Sequence, residues 1–332
     1  MSTYPPEWDT MEEEQPVVEM EPVYSAAQPR RQAPPPRSRQ QPAPGGRNRL
    51  SLLSLGISLL ALILAIAALF LALRPEEEQQ EERPDISVEE PITFQFGGRT
   101  LTPLEGMPLN PYDRSAFTAD SGGRLSYERD GQRAKTGIDV STYQQDVDWQ
   151  AVAADGIDFA ILRLGYRGYT EGGLFLDQTF TPNLQGALGA GLDVGVYFFS
   201  QAITPEEAEA EADFVLEAIQ GYEITYPIAF DWEPITPGSN ARTDSLDNRT
   251  LTQCARAFCT RIQEAGYQPA VYFNQSLGYL RYDLRELTEY NLWLAEYDTK
   301  PDFYYRFDLW QYTHTGQVAG IQGDVDLNLD LR

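Results

Sequence analysis

The stretch DVGVYFFSQAITPEEAEAEADFVLEAIQGYEITYPIAFDWE, residues 193–233, determines the fold class. Apolar runs of strand length lie at both ends, and the helical segment Pro205–Ile219 lies between them. Thr204 can cap this helix, proline occupies its first position and acids fill its first turn. Gly221 follows the helix, where a left-handed cap is favoured. This order of strand, helix and strand predicts parallel strands covered by helices.

The same alternation continues across residues 136–332. Further helical segments are Asp148–Ala154, Leu184–Ala190 and Leu251–Ala265. The apolar strands read, in order, TGIDVS, DFAILRLG, DVGVYFFS, YPIAFDWE, QPAVYFN, NLWLAEY, DLWQY and VDLN. About eight strands in this length predict an α/β fold with a closed or nearly closed barrel. Several late connections are too short for helices, so we expect an irregular (β/α) TIM-like barrel.

Four segments of different composition precede the barrel. Residues 1–49 are rich in proline and charge, which predicts a disordered tail. Residues 50–73 contain no charged residue and, as a helix, are long enough to cross a bilayer. Residues 74–90 form a charged linker. Residues 91–135 contain short strand-like runs broken by glycine and proline, which predict a small β-rich collar.

Arginines set the expected orientation of the apolar run. Six of them lie between residues 30 and 49, whereas glutamates dominate the residues directly after the run. The positive-inside rule then predicts a single-pass protein of the cell membrane, with a cytoplasmic N-terminus, lipid contact through residues 50–73 and residues 74–332 outside. A cleaved signal peptide is the competing interpretation, but its apolar region and leader are usually shorter. A buried helix of a soluble protein is the other alternative.

The composition excludes several kinds of function. The chain has 332 residues, 25 Lys and Arg, 50 Asp and Glu, and a formal net charge of −25, which disfavours nucleic acid as a partner. Two cysteines and one histidine do not suffice for a zinc site or a disulfide framework, so we expect no metal and no cofactor. Catalysis by a Ser-His-Asp or Cys-His set would depend on His314. Carboxylates are the remaining catalytic groups.

The triplet Asp231-Trp232-Glu233 contains the strongest candidates. Residues i and i+2 of a strand point to the same face, with Cα atoms about 6.6 Å apart. Two carboxyls this close perturb each other, so that one stays ionised while the pKa of the other rises. Glycoside cleavage needs this combination of an acid and an anion. An exposed turn is the alternative, because Pro234 follows directly.

Functional side chains of α/β barrels lie at the carboxyl ends of the strands. Besides Asp231 and Glu233, the strand ends carry Asp139, Arg163, Tyr197, Tyr272, Trp293, Gln311 and Asp326. Asp139 and Asp326 could have a structural role instead of a functional one, by capping turns or by pairing with an arginine such as Arg163. Trp293 and Trp310 could stack on sugar rings or pack in the core.

The ordered segments GIDVSTYQ, FAILRLGYRGY, GVYFFSQA, FDWE, AVYFN, LWLAEY, LWQY and VDLN together resemble glycoside hydrolase family 25. Members of this family are the N-acetylmuramidases often called Chalaropsis-type lysozymes. The resemblance covers about residues 136–332. It implies an irregular (β/α) barrel that hydrolyses the β-1,4 bond from N-acetylmuramic acid to N-acetylglucosamine in peptidoglycan.

The same resemblance assigns roles to individual residues. Glu233 would be the general acid, and Asp231 would orient the acetamido group of the substrate or stabilise positive charge. Asp139 and Asp326 would complete an acidic floor. The groove would be lined by Tyr197, Trp293 and Gln311, with Arg163 and Tyr272 as further supporting residues. Phe198 stands where many members have histidine.

Two hypotheses for function follow. The first is a membrane-tethered muramidase outside a Gram-positive type cell, which acts on the glycan strands of its own wall during remodelling. The second is a glycan-binding scaffold whose Pro/Arg-rich tail recruits cytoplasmic partners, and the intact acids disfavour it. A metal-dependent hydrolase of wall peptides is disfavoured by the lack of histidines. Because Glu233 must stay protonated among anions, we expect an acidic pH optimum.

Overall fold

The structure is a computed structural model that describes residues 92–236, 238–297 and 300–332. The predicted tail, the apolar run over residues 50–73 and the charged linker all lie outside the described residues. Within the described ranges, no helix is long and apolar enough to cross a membrane.

Residues 92–134 contain two small antiparallel sheets. The first is a hairpin of β1 (Phe94–Phe96) and β2 (Arg99–Leu101), which falls in a different compact unit from residues 103–332. The second sheet belongs to the same unit as the barrel and contains β3 (Phe117–Ala119), β4 (Leu125–Arg129) and β5 (Gln132–Arg133). The predicted β-rich collar is therefore two separate sheets. The second is held to the barrel by Phe117, whose ring packs edge-on against Trp310 with centroids 5.1 Å apart.

A third, nine-stranded sheet forms the barrel. Its strands are β6 (Lys135–Val140), β7 (Phe159–Arg167), β8 (Leu174–Leu176), β9 (Asp193–Phe199), β10 (Ile228–Asp231), β11 (Pro269–Asn274), β12 (Asn291–Ala295), β13 (Leu309–Gly316) and β14 (Val325–Asp330). The sheet closes on itself because β6 pairs with both β7 and β14. Strand β8 pairs antiparallel with the end of β7 at the rim. The predicted closed barrel is confirmed, with eight strands in its wall.

Helices cover the outside of the barrel. They are α1 (Trp149–Ala154), α2 (Phe180–Gly189), α3 (Pro205–Ala218), α4 (Asn248–Glu264) and α5 (Gln275–Leu280). Short 3-10 turns occur at Arg114–Ala116, Thr142–Gln144 and Leu284–Glu286. The Thr204 hydroxyl accepts the N–H of Glu207 and caps α3, as its sequence predicts. The short helix α5 was not predicted, although Asn274 caps it in the same way.

Strand β14 runs antiparallel to both of its neighbours. The prediction of parallel strands is therefore right for seven strands of the barrel wall and wrong for β14. The reason is the short link between β13 and β14, since a parallel pairing needs a crossover of a dozen or more residues. As a consequence, the first residues of β14 lie at the same end of the barrel as the last residues of the other strands.

Alternating side chains of the strands divide the core into two layers. Outward-facing residues such as Val194, Val196 and Phe198 pack beneath the helices. Inward-facing residues fill the barrel, among them Phe159, and the Tyr226 ring stacks on this phenylalanine with centroids 4.3 Å apart. Phe159 is the first residue of β7, so this aromatic pair fills the amino end of the barrel. The carboxyl end is the one that carries the predicted functional side chains.

Candidate active site

Four acids lie at the carboxyl end of the barrel. Asp139 is near the end of β6, directly opposite Asp326 at the start of β14. Asp231 ends β10, and Glu233 follows two residues later. Besides burial, the charges of Asp326, Glu233 and Asp139 all contribute to the raised pKa of Tyr297, so the three acids lie in the neighbourhood of this residue. The predicted convergence of these acids is therefore what the fold produces, and Asp326 takes part because its strand is reversed.

Three of these acids are buried. Asp139, Asp231 and Glu233 are 6%, 5% and 8% exposed, and Asp326 is half-buried. An ionised carboxylate in a buried site is costly unless hydrogen bonds or opposite charges compensate it. The three buried carboxyls cannot all be ionised together, so their hydrogen bonds decide which of them holds a negative charge.

Asp139 receives the hydrogen bonds. Its Oδ2 accepts Nε2 of Gln311 at 2.8 Å and Nδ2 of Asn328 at 2.7 Å. Burial raises the pKa of Asp139 to about 6, and the two amide donors oppose this rise. Asp139 is thus the buried acid whose charged form is best supported.

The two amides are themselves held by hydrogen bonds. The Oε1 atom of Gln311 accepts the hydroxyls of Tyr272 at 2.8 Å and Tyr297 at 2.6 Å. The Oδ1 atom of Asn328 accepts Nε1 of Trp293 at 2.8 Å. The predicted residues Tyr272, Trp293 and Gln311 therefore form, together with two residues that were not predicted, a polar network beneath Asp139.

Glu233 and Asp231 have the opposite electrostatic environment. Burial, and then the charge of Asp139, raise the pKa of Glu233 to about 8. Burial, Glu233 and Asp139 raise the pKa of Asp231 well above its usual range, and Arg163 opposes them. The Oδ1 atom of Asp231 is buried without a hydrogen-bond partner among the described residues. Glu233 is therefore protonated at neutral pH and can donate a proton.

Arg163 occupies a supporting position. Its Nε donates to Oδ2 of Asp177 at 2.6 Å, and the two side chains are 1% and 0% exposed. Asp177 also accepts the backbone N–H groups of Thr142 and Thr179. Arg163 is thus an internal cation that lowers the pKa of Asp231, and its burial keeps it away from a substrate in the groove.

The aromatic candidates differ in exposure. Trp293 is 2% exposed and packs edge-on against Tyr272, with ring centroids 4.9 Å apart. Trp310 is fully buried on the outer side of the barrel. Of the two alternatives for these tryptophans, core packing is the one observed. Tyr197 is half-buried and lies edge-on to Trp293, where its position allows contact with a ligand.

Three residues of the site were missed. Asn328 and Tyr297 belong to the network beneath Asp139, and the Nε2 atom of the buried Gln201 donates to the backbone oxygen of Glu233 at 3.0 Å. Strand alternation could have identified Asn328, because it lies two residues after Asp326 and therefore shares its face. No local signal marks Gln201, which is held by the hydroxyl of Thr243 at 2.6 Å.

Two other sequence observations have clear structural outcomes. His314, the histidine on which a Ser-His-Asp or Cys-His set would depend, lies in β13; it is exposed, and its ring centroid is 4.8 Å from that of Tyr297. Phe198 faces the outer core and packs edge-on against Phe214. Its side chain points away from the acids, so the absence of histidine at this position leaves the acidic site itself intact.

Comparisons with known proteins agree with this geometry. Residues 138–321 match glycosyl hydrolases family 25. The chain is 30% identical to the autolytic lysozyme of Clostridium acetobutylicum over 195 residues, 58% of this chain and 54% of that protein. It is 26% identical to lysozyme M1 of Streptomyces globisporus over 237 residues, 68% of this chain and 73% of that protein.

A solved structure shows the same fold. The modular autolysin LytC from Streptococcus pneumoniae, in complex with a synthetic peptidoglycan ligand, superposes with a TM-score of 0.51 and 25% identity. The match covers 64% of this chain and 56% of LytC, so the chain spans little more than half the length of LytC and of the clostridial lysozyme. The barrel, its acids and the matched residues lead to one conclusion: the chain belongs to glycosyl hydrolases family 25, with a lysozyme-like catalytic domain.

Proposed function

We propose that the barrel is an N-acetylmuramidase, which hydrolyses the β-1,4 bond between N-acetylmuramic acid and N-acetylglucosamine in peptidoglycan. The observation that supports this most is the buried Glu233, whose pKa is raised to about 8, in the same acidic site as the hydrogen-bonded Asp139. The similarity to two lysozymes, and to an autolysin that binds a peptidoglycan ligand, agrees with this substrate class.

The geometry gives each acid a role in this reaction. Glu233 donates its proton to the glycosidic oxygen, while Gln201 holds its backbone in place. Burial and then the charge of Glu233 raise the pKa of Asp231, so the two carboxyls do not ionise together readily and one acid can stand beside one anion. The anion then stabilises the positive charge that develops on the sugar or orients its acetamido group. These are the two groups that cleavage of a glycoside requires.

The pKa shifts predict how activity depends on pH. Asp139 must be ionised, which requires a pH above about 6, and Glu233 must keep its proton, which requires a pH below about 8. The plot of kcat/KM against pH should therefore be bell-shaped with a maximum between these values. Burial moves this maximum toward neutrality from the acidic optimum expected from sequence. Initial rates on soluble peptidoglycan fragments would check it, and a rate that is flat from mildly acidic to mildly alkaline pH would contradict it.

Product analysis tests the proposed reaction directly. Purified peptidoglycan is incubated with the full-length protein, and the soluble products are reduced and analysed by mass spectrometry. Reducing ends on N-acetylmuramic acid support the proposal. Reducing ends on N-acetylglucosamine would change the bond assignment, and binding without cleavage would favour the glycan-binding scaffold. The Glu233→Gln variant shows whether the products depend on the proposed acid.

We also propose that the protein is tethered in the cell membrane of a Gram-positive type cell. The charge-free run over residues 50–73, the arginines before it and the glutamates after it support a cytoplasmic N-terminus and an external barrel. The Pro/Arg-rich tail would then be available to cytoplasmic partners. Protease added to intact protoplasts should digest the barrel and leave the tail protected, whereas protection of the barrel would overturn this orientation.

A further inference from the structure

Two amide groups point their nitrogen atoms at the same oxygen of Asp139. Asn328, on β14, is fully buried, and its Nδ2 lies 2.7 Å from Oδ2 of Asp139. Gln311, on β13, is 3% exposed, and its Nε2 lies 2.8 Å from the same atom. Strand β14, which carries Asn328, pairs with β6, which carries Asp139, and β13, which carries Gln311, is the next strand beyond β14. The barrel wall itself therefore sets the positions of both donors.

The chemistry of Trp293 determines which way Asn328 faces. An indole N–H can donate a hydrogen bond and cannot accept one. The Asn328 atom that lies 2.8 Å from Nε1 of Trp293 must therefore be the carbonyl oxygen. The remaining Asn328 atom, which faces Asp139, is then the NH2 group. Trp293 thus makes Asn328 a donor toward Asp139, and a donor favours the ionised form of a carboxyl group.

Asp139 lies among groups that respond to its charge. Asp231 and Glu233 both have their pKa raised by it. The charged and titratable groups that face this part of the barrel are Arg163 from β7, Tyr197 from β9, Asp231 and Glu233 from β10 and the segment after it, Tyr272 from β11, Tyr297 after β12 and Asp326 from β14. A fixed negative charge on Asp139 therefore retains protons on its acidic neighbours.

We infer that Asn328 is a positioning residue: oriented by Trp293, it holds Asp139 as the ionised carboxylate of the site and so keeps the proton on Glu233. This inference rests on the proposed muramidase activity for its kinetic readout. Asn328 need not contact the substrate, because it acts through the charge of Asp139.

The variant Asn328→Leu tests this role because leucine has a similar shape and no donor. Asp139 should then protonate more readily, which moves the acidic limb of the kcat/KM profile to higher pH. Glu233 loses part of the neighbouring charge, which moves the alkaline limb to lower pH. We expect a shift of about one pH unit in each limb, equivalent to a tenfold change in each protonation ratio. A lower rate with both limbs unmoved would overturn the inference and leave only a packing role.

The chain offers a matched control in Asn183. This residue of α2 is 5% exposed, and its Oδ1 accepts Nε1 of Trp149 at 3.3 Å in the outer layer. Asn183→Leu removes the same kind of Trp–Asn hydrogen bond from the same kind of buried position, and it should leave both limbs in place. If both limbs of the kcat/KM profile of Asn183→Leu moved as far as those of Asn328→Leu, general destabilisation would explain the result. This outcome would overturn the inference.

A second variant and a substrate-free measurement keep the inference separate from the proposed function. Trp293→Phe keeps both amides but removes the N–H that orients Asn328, so the two limbs of the kcat/KM profile should move in the same directions as in Asn328→Leu, by a smaller amount.

Without substrate, the unfolding midpoint of the full-length wild type should fall as pH rises toward the Glu233 pKa of about 8, because the folded state retains that proton. In Asn328→Leu this fall should end at a lower pH. Identical stability profiles would refute the inference, whereas an inactive wild type with shifted profiles would refute only the muramidase.

Discussion

Replacing Glu233 by glutamine is expected to lower kcat on peptidoglycan by about 10²–10⁴-fold, the contribution typical of a general acid. Glutamine has nearly the same shape as the buried glutamic acid, so the surrounding side chains keep their positions. Its amide cannot transfer a proton to the leaving oxygen. The hydrogen bonds to Asp139 do not involve Glu233 and stay intact. Turnover measured beside glycan binding would show lost catalysis with retained affinity.

The same substitution should stabilise the folded protein at alkaline pH. A carboxyl whose pKa is raised from 4.5 to about 8 holds its proton more tightly in the folded state than in the unfolded chain. The wild type therefore loses stability as pH rises through this range, and the uncharged amide does not. Glu217→Gln, an exposed position of α3, provides the control for the charge change. Equal pH dependence of urea unfolding in the wild type and Glu233→Gln would contradict a protonated Glu233.

Replacing Arg163 by leucine is expected to destabilise the protein by about 3–5 kcal/mol, the usual loss when one partner of a buried ion pair is removed. Asp177 would lose its cation at a position where its side chain is 0% exposed, and it would keep the threonine donors. The unfolding midpoint in urea or guanidinium would measure this loss. Catalysis should fall as well, because Arg163 is the cation that opposes the raised pKa of Asp231.

Two controls separate burial from charge in this experiment. The double variant Arg163→Leu with Asp177→Asn removes both charges and keeps an acceptor for one of the two threonines, so part of the lost stability should return. Arg256→Leu removes an ion pair with Glu286 whose side chains are 46% and 44% exposed, and it should cost no more than about 1 kcal/mol. A similar loss in Arg163→Leu and Arg256→Leu would contradict the importance of the buried pair.

Much of the barrel could be predicted because its strands carry strong local signals. Buried parallel strands read as continuous apolar runs, and DFAILRLG and YPIAFDWE are of this kind. The sequence signals predict a helix over Pro205–Ile219, and α3 spans Pro205–Ala218 with Thr204 as its N-cap. The acids could be located because strand ends in such barrels share one face.

The remaining features depend on contacts between distant residues. The segment VDLN has the same alternation in either direction, so its pattern does not reveal that β14 is antiparallel. Arg163 pairs with Asp177 through a hairpin whose second strand, β8, is too short to show a period. Asn328 and Gln201 are ordinary amides in the sequence, and their roles are visible only from the atoms they bind.

The closure of the barrel by β14 also affects how the protein becomes active. Asp139 and Asn328 are 189 positions apart in the chain, yet they meet in neighbouring strands. Such long-range pairings form slowly, since the entropy of closing a large loop is lost before the contacts are gained. The polar support of Asp139 and the circular sheet are completed in the same folding event. Until β14 pairs with β6, neither Asp326 nor Asn328 is in place, so the acidic site exists only once the first and last barrel strands have associated.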